Sequence, residues 1–241
     1  MGKHCCFRTL GLVVIGAMIL CVSSVQADTT IDTFEDDVPA TWPVIANSGT
    51  PFVATSEPGL AGVVGGVRDG TVSHTSGPLN VTGAVLIGPG IYSLSLDALT
   101  DGLSTLSYDA GGAGLNLDLL DPHGTGATQV DGFVVIDVLT ADLGGVPIDV
   151  TLTDGGGGSD TQGGIAAGGG MVSIPLASYV GVDFSDIDSV EFQFDPAAEF
   201  DLTIDFLGFD WVNGHAPEPS SAVLGLLGLS AMFFYRRRRV R

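Results

Sequence analysis

Carboxylates are the chemistry this chain holds in quantity. It has 28 Asp and Glu residues against 8 Lys and Arg, so hard oxygen ligands for divalent cations abound while bases are scarce. Two groups stand out by spacing. Glu35-Asp36-Asp37 sets three acids in a row, and Asp154-Gly155-Gly156-Gly157-Gly158-Ser159-Asp160 brackets four glycines with two aspartates. Each reads either as an oxygen-ligand set for calcium or as a solvated loop. Other chemistries lack a constellation. His74, His123 and His215 have no second His at metal-ligand spacing, and no Gly-x-Ser-x-Gly nucleophile elbow occurs. Carboxylate pairs for glycoside hydrolysis cannot be singled out among so many acids. No catalytic residue is assigned, and the chain is expected not to be an enzyme.

The bases are distributed unevenly. They are Lys3, Arg8, Arg68, Arg236 to Arg239 and Arg241, so Arg68 alone lies between Asp28 and Pro219, where all 28 acids lie. That body therefore has 28 − 1 = 27 net negative charges. It has nothing with which to neutralise phosphates, which excludes nucleic-acid binding, and it should avoid anionic lipid surfaces. Its acids, read from sequence, cannot pair within the chain, so its stability should respond to salt or bound cations.

The two ends read as targeting segments. Lys3 and Arg8 form a basic region, Leu10 to Val22 is apolar, and Val25-Gln26-Ala27 fits the small-residue rule for signal-peptide cleavage after Ala27. Cys5, Cys6 and Cys21 all lie in this segment, and Leu20 stands where a lipoprotein site wants a small residue. The expected mature chain has no cysteine, hence neither disulfides nor thiolate metal sites. At the other end, Ala216-Pro217-Glu218-Pro219-Ser220-Ser221 precedes the uncharged run Ala222 to Tyr235 and the cluster Arg236-Arg237-Arg238-Arg239. The run is shorter than the roughly 20 residues of an ordinary span, and the positive-inside rule keeps the Arg cluster cytoplasmic.

This order of parts resembles the PEP-CTERM sorting signal. The resemblance implies an exported protein, held in the inner membrane as a precursor and processed near Pro217-Glu218-Pro219 by an exosortase-type membrane enzyme. The product would go to the cell surface or extracellular matrix. The expected organisation is a signal peptide over 1–27, one domain over 28–215 and a sorting signal over 216–241 with a transmembrane helix.

The body itself alternates with period two. Tyr92, Leu94 and Leu96; Leu115, Leu117 and Leu119; Ile148, Val150 and Leu152; Val190, Phe192 and Phe194; and Phe200, Leu202, Ile204 and Phe206 each interleave with polar residues. Such runs predict strands with one dry and one wet face. Phe133 to Leu139 is apolar on both faces except at Asp137, as a central strand would be. Gly- and Pro-rich turns separate the runs, and only Phe184 to Asp188 suggests a helical turn. In the last strand the apolar phase shifts after Phe206 to Leu207, Phe209 and Trp211, which predicts a bulge at Gly208. The expected fold is all-β, an antiparallel β-sandwich of the jelly-roll type.

Ile31-Asp32-Thr33-Phe34-Glu35, Asp186 to Phe192 and Leu202 to Phe206 resemble the opening and closing stretches of galactose-binding-like jelly rolls and related carbohydrate-binding modules. The resemblance implies a structural calcium ion between the first-strand region and the last strand, at Glu35 and Asp210 with Asp36 or Asp37 as helpers. It also implies a polysaccharide ligand. Trp42, Tyr108 and Tyr179 are the aromatic residues least committed to a core face, and Trp42 is the first choice for a sugar platform. Gly155 to Asp160 resembles one calcium-binding nonapeptide repeat, but a single copy reads as a hairpin loop. The expectation is a non-enzymatic surface or matrix protein that binds polysaccharide. The alternatives are a secreted carbohydrate-active enzyme and a calcium-dependent adhesin.

Overall fold

The computed structural model describes residues 29–36, 41–86, 90–120, 132–142, 145–196 and 198–211. Thirteen strands are described: β1 (Thr29–Asp32), β2 (Val44–Asn47), β3 (Phe52–Pro58), β4 (Val67–Ser76), β5 (Asn80–Leu86), β6 (Ile91–Leu96), β7 (Asp101–Tyr108), β8 (Gly132–Ala141), β9 (Val146–Asp154), β10 (Ser159–Ala166), β11 (Gly170–Pro175), β12 (Ile187–Phe194) and β13 (Asp201–Trp211). They form two antiparallel sheets. One has seven strands in the order β11-β8-β13-β6-β5-β2, with β1 added beside β13; the other has six, β10-β9-β12-β7-β4-β3. The expected all-β sandwich is what the chain forms.

Period-two alternation decides which side chains meet between the sheets. Tyr92, Leu94, Leu106, Ile148, Val150, Val190, Phe192, Phe194, Leu202 and Ile204 are all buried there. β8 is buried on both faces through Val134, Val135 and Ile136, as its apolar run predicts. Tyr92 sits at the centre, tilted against Phe34 and Phe194 and edge-on to Trp42. Its hydroxyl bonds Ser104, and burial raises its pKa despite that bond.

Three local expectations are corrected. Leu115 to Leu119 does not form a strand. The segment lies along the start of β12 through a single bridge, Leu117 to Ile187, with Leu119 N donating to the Phe184 carbonyl. Phe184 to Asp186 is a turn that leads straight into β12, because Ile187 must pair with Asp154 on β9. The phase shift in β13 arises at Asp205, which is left between the paired residues Ile204 and Phe206, and Gly208 pairs in register with Val135 and Thr30. Glycine is needed at 208 for a different reason: the Phe206 ring lies over it, where a Cβ would collide.

Candidate functional site

The body's only base is an interior group. Arg68, on β4, is 1% exposed. Its Nε and Nη2 donate to Asp32 Oδ2 and Oδ1 at 2.6 and 2.8 Å, and its Nη1 donates to Glu57 Oε2 at 2.9 Å. Asp32 comes from β1 of the seven-stranded sheet, while Glu57 lies opposite Arg68 on β3 of the six-stranded sheet. The guanidinium fork thus joins the two sheets with the bidentate geometry that suits arginine. The Phe34 ring stacks beneath it, 5.2 Å from the guanidinium carbon.

One guanidinium faces two carboxylates, so the cluster holds a surplus negative charge. Neutral donors meet it. Phe34 N and the Tyr108 hydroxyl donate to Asp32, and Thr41 and Trp42 Nε1 donate to Glu57, all within 2.7–3.0 Å. Burial would lower the Arg68 pKa, but the hydrogen bonds and charge of Asp32 outweigh it and hold the guanidinium above its ordinary value. Burial raises the Tyr108 hydroxyl well above its own value, and the neighbouring Asp32 charge pushes it further. With every carboxylate oxygen of Asp32 and Glu57 bonded and both side chains at most 2% exposed, this cluster ties the two sheets together.

Trp42 belongs to the same cluster, which corrects the expectation of an exposed sugar platform. It is 7% exposed, and its ring is wedged between Gly70 on β4 and Gly83 on β5, where a Cβ would meet it at 2.6 and 3.1 Å. Glycines on both sheets make room for the indole, and Glu57 supplies the partner its N–H needs once buried. Tyr108 and Tyr179 are buried too. Among the described residues every Trp and Tyr is buried, so none offers a stacking face to solvent.

The acids outside the core are placed as follows. Glu35 is exposed and lies near Asp137 and Asp205; burial raises the Asp205 pKa first, and the charges of Asp137 and Glu35 add to it. Asp210 is five residues further along β13, where its Oδ1 accepts from Trp211 N at 2.8 Å. Asp36 Oδ2 accepts from Gly62 N, and Asp37 lies outside the described residues. Asp154, 7% exposed, accepts from Gly158 N at 2.8 Å and Asp183 N at 2.7 Å, closing the Asp154-to-Asp160 segment into the hairpin between β9 and β10. Asp160 accepts from Val180 N at 2.7 Å. The backbone amides at Asp183 and Val180, respectively, lead in lowering the pKa values of Asp154 and Asp160, as the hydroxyl and then the amide of Ser185 do for Asp183. No three His, Cys, Asp or Glu side chains among the described residues are grouped to hold a metal ion.

The broad outer surface of the six-stranded sheet is a ladder of short polar side chains. Thr161, Thr151, Glu191, Ser107, Asp69 and Ser56 follow one another across it, and Gly163, Asp149, Gln193, Thr105, Thr71 and Ala54 form the next row. Its outward aromatic residue is Phe52, at the β3 edge and 56% exposed.

Ala27, Pro217-Glu218-Pro219, the run Ala222 to Tyr235 and Arg236 to Arg239 lie outside the described residues, and no described helix is long and apolar enough to cross a membrane. The cluster around Arg68 escaped the sequence reading, although one signal was available: a lone Arg with a small, alternating strand around it in a body of 27 excess acids.

Comparison with known proteins adds two findings. Residues 215–239 match the PEP-CTERM protein-sorting motif. No curated protein matches the chain. Among solved structures, the chain is similar to the family 11 carbohydrate-binding module of the cellulosomal cellulase Lic26A-Cel5E of Clostridium thermocellum, at 12% identity over 79% of this chain and 99% of that one, with a TM-score of 0.38. The family 30 module of cellulase Cel9D-Cel44B from the same organism gives 14% identity over 76% and 98%, with a TM-score of 0.39. An agarase, AgWH50C, matches at 12% identity over 61% of this chain and 23% of its own, with a TM-score of 0.38. The chain is therefore an antiparallel β-sandwich followed by a PEP-CTERM sorting motif, which marks it as an exported protein.

Proposed function

We propose that the protein is a non-enzymatic component of the cell surface or extracellular matrix, delivered by processing at Pro217-Glu218-Pro219 by an exosortase-type membrane enzyme. The observation that supports this reading is the sorting motif over 215–239, which begins four residues after β13 ends at Trp211. The last described strand thus ends just before the sorting segment starts. Mass analysis of the intact extracellular protein tests it: the product lacks 1–27 and everything after about Pro219. An extracellular product that retains Arg236 to Arg241 overturns it.

The ligand reading that accompanies it is an extracellular polysaccharide held on the outer face of the six-stranded sheet. The two rows of hydroxyl, amide and carboxylate groups support hydrogen bonding to sugar hydroxyls, in place of the aromatic stacking that buried Trp42 cannot provide. Affinity electrophoresis through polysaccharide-loaded gels checks this. Replacing Thr105, Thr151 and Gln193 together by Ala should abolish retardation, and unchanged retardation moves the ligand elsewhere.

A further inference from the structure

The outer face of the six-stranded sheet carries acids that the fold itself does not use. Elsewhere acids tie loops and turns together: Asp109, Asp118, Asp154 and Asp183 each accept a backbone amide. On the sheet, Asp69 stands in β4, Asp149 in β9, Glu191 in β12 and Asp195 just after it, each between buried neighbours and so turned outward. Among the described residues these four carboxylates accept no hydrogen bond and pair with no base. Asp is disfavoured inside strands, so the charges are a cost to the sheet that nothing within it offsets.

Strand pairing fixes their spacing. Glu191 and Asp69 share a row with Ser107 between them, two strand spacings or ~10 Å apart. Asp149 lies opposite Gln193, so Glu191 and Asp195 are its diagonal neighbours at about 7 Å. Such carboxylates are too spread to share one metal ion, and no three acids among the described residues are grouped to hold one. They suit several cations strung along one molecule. The face around them is open: Asp149 leans over Gly163, which has no side chain to meet it. The outward aromatic residue, Phe52, sits on edge strand β3, so the centre lacks the aromatic anchor on which protein interfaces are built.

Resting on the polysaccharide reading, we infer that the ligand of this face is a cationic polysaccharide, an extended chain of amino sugars with free amines. Its ammonium groups pair with Asp69, Asp149, Glu191 and Asp195, while its hydroxyls bond the Ser and Thr side chains of the same rows. In an extended β-1,4-linked chain every second sugar turns the same side to the surface, and each sugar advances by about one strand spacing. Ammonium groups therefore recur at about the step from Glu191 to Asp69. With Arg68 buried, no described base offsets these carboxylates, so uronate and sulfated chains are turned away.

The test titrates the full chain, held in a neutral detergent, with three probes: a soluble β-1,4-linked glucosamine oligomer, the same oligomer fully N-acetylated, and poly-lysine. Calorimetry is run above the ordinary carboxylate range, where the amines are still protonated. The free-amine oligomer should bind about tenfold tighter than the acetylated one, and the preference should fade as salt is raised. Asp69→Asn, Asp149→Asn and Glu191→Gln should each weaken the preference a few-fold and together remove it, without lowering the unfolding temperature. Asp137→Asn, on β8 of the other sheet, should leave it unchanged. Equal binding of the two oligomers overturns the inference, as does an equal loss with Asp137→Asn. Poly-lysine bound as tightly, and released by the same three changes, shows a face that reads charge without sugar and overturns it too. Retardation in polysaccharide gels with no binding of the free-amine oligomer overturns the inference and leaves the polysaccharide reading standing. Neither retardation nor oligomer binding removes both.

Discussion

The Arg68 cluster and the Asp154 hairpin solve the same shortage of bases in opposite ways. In the core, Asp32 and Glu57 share the one guanidinium the body has and take four further donors from Phe34, Thr41, Trp42 and Tyr108. At the hairpin, Asp154 and Asp160 have no base at all and are met by backbone amides of Gly158, Asp183 and Val180, with the Gln162 side chain also donating to Asp160. The difference shows where a scarce cation is worth most. Inside, two unpaired carboxylates would be prohibitive; at the hairpin, buried Asp154 is met by backbone amides alone.

Breaking the core cluster should have the largest effect. Arg68→Met leaves two buried carboxylates without their cation and should cost about 3–5 kcal/mol, which for a domain of this size lowers Tm by on the order of 10 °C. Thermal unfolding followed by circular dichroism checks this. Adding Asp32→Asn and Glu57→Gln to Arg68→Met should recover much of the loss, since the stranded charges are then gone. If Arg68→Met unfolds like the wild type, the cluster is not what ties the sheets.

Protease digestion reads the same contrast without a mutation. Arg68–Asp69 is the only bond after Lys or Arg between Asp28 and Pro219, and Arg68 is buried on an inner strand flanked by β3 and β7. The native body should survive trypsin until conditions open the fold, and then yield two fragments. Rapid cleavage under native conditions would place Arg68 at the surface.

The hairpin should respond more weakly and with pH. The pKa values of Asp154, Asp160 and Asp183 are lowered in the fold, so their contribution is present above the unfolded carboxylate value, near 4, and is lost as pH falls through the lower folded values. Asp154→Ala should lower Tm by a few degrees at neutral pH and flatten the decline between pH 4 and the acid limit. A mutant that follows the wild-type acid curve would show that the amides at Gly158 and Asp183 do not need their acceptor.

Asp205 should have the smallest effect and the opposite sign. Burial and the charges of Asp137 and Glu35 raise its pKa, so its ionised form is disfavoured in the fold. Its contribution is present below the unfolded value and is lost as pH rises through the folded one. Asp205→Asn should therefore raise Tm slightly at pH 7 and leave it unchanged near pH 3. A lower Tm at pH 7 would mean that the bulge needs the carboxylate.

Much of the architecture was legible because a sheet writes itself as period two. β6, β9, β12, the start of β13 and doubly buried β8 follow directly from their alternation. The Leu115-to-Leu119 run shows the limit: it alternates like a strand, yet Leu117 finds only one bridging partner and the segment stays a loop. β10, rich in small and polar residues, and β11, a short Gly-Met-Val-Ser-Ile-Pro run, gave little signal; they exist because β9 and β8 offer them edges.

What the sequence by itself determined is whatever depends on composition and linear order: the charge of the body, its class of fold, and the sorting motif after its last described strand, a short segment legible without any fold. What only the tertiary structure decided is which groups far apart in the chain share one low-dielectric space. Asp32, Glu57, Arg68 and Tyr108 are separated by up to 76 residues, and no periodicity announces that they meet. The same holds for Trp42, which local sequence leaves exposed beside Pro43 and which becomes a buried wedge because Gly70 and Gly83, on two different sheets, leave the volume for it. Pairing across sheets is a property of the packed core, where the penalty for an unpartnered charge is largest, and so it is settled only when the sheets close.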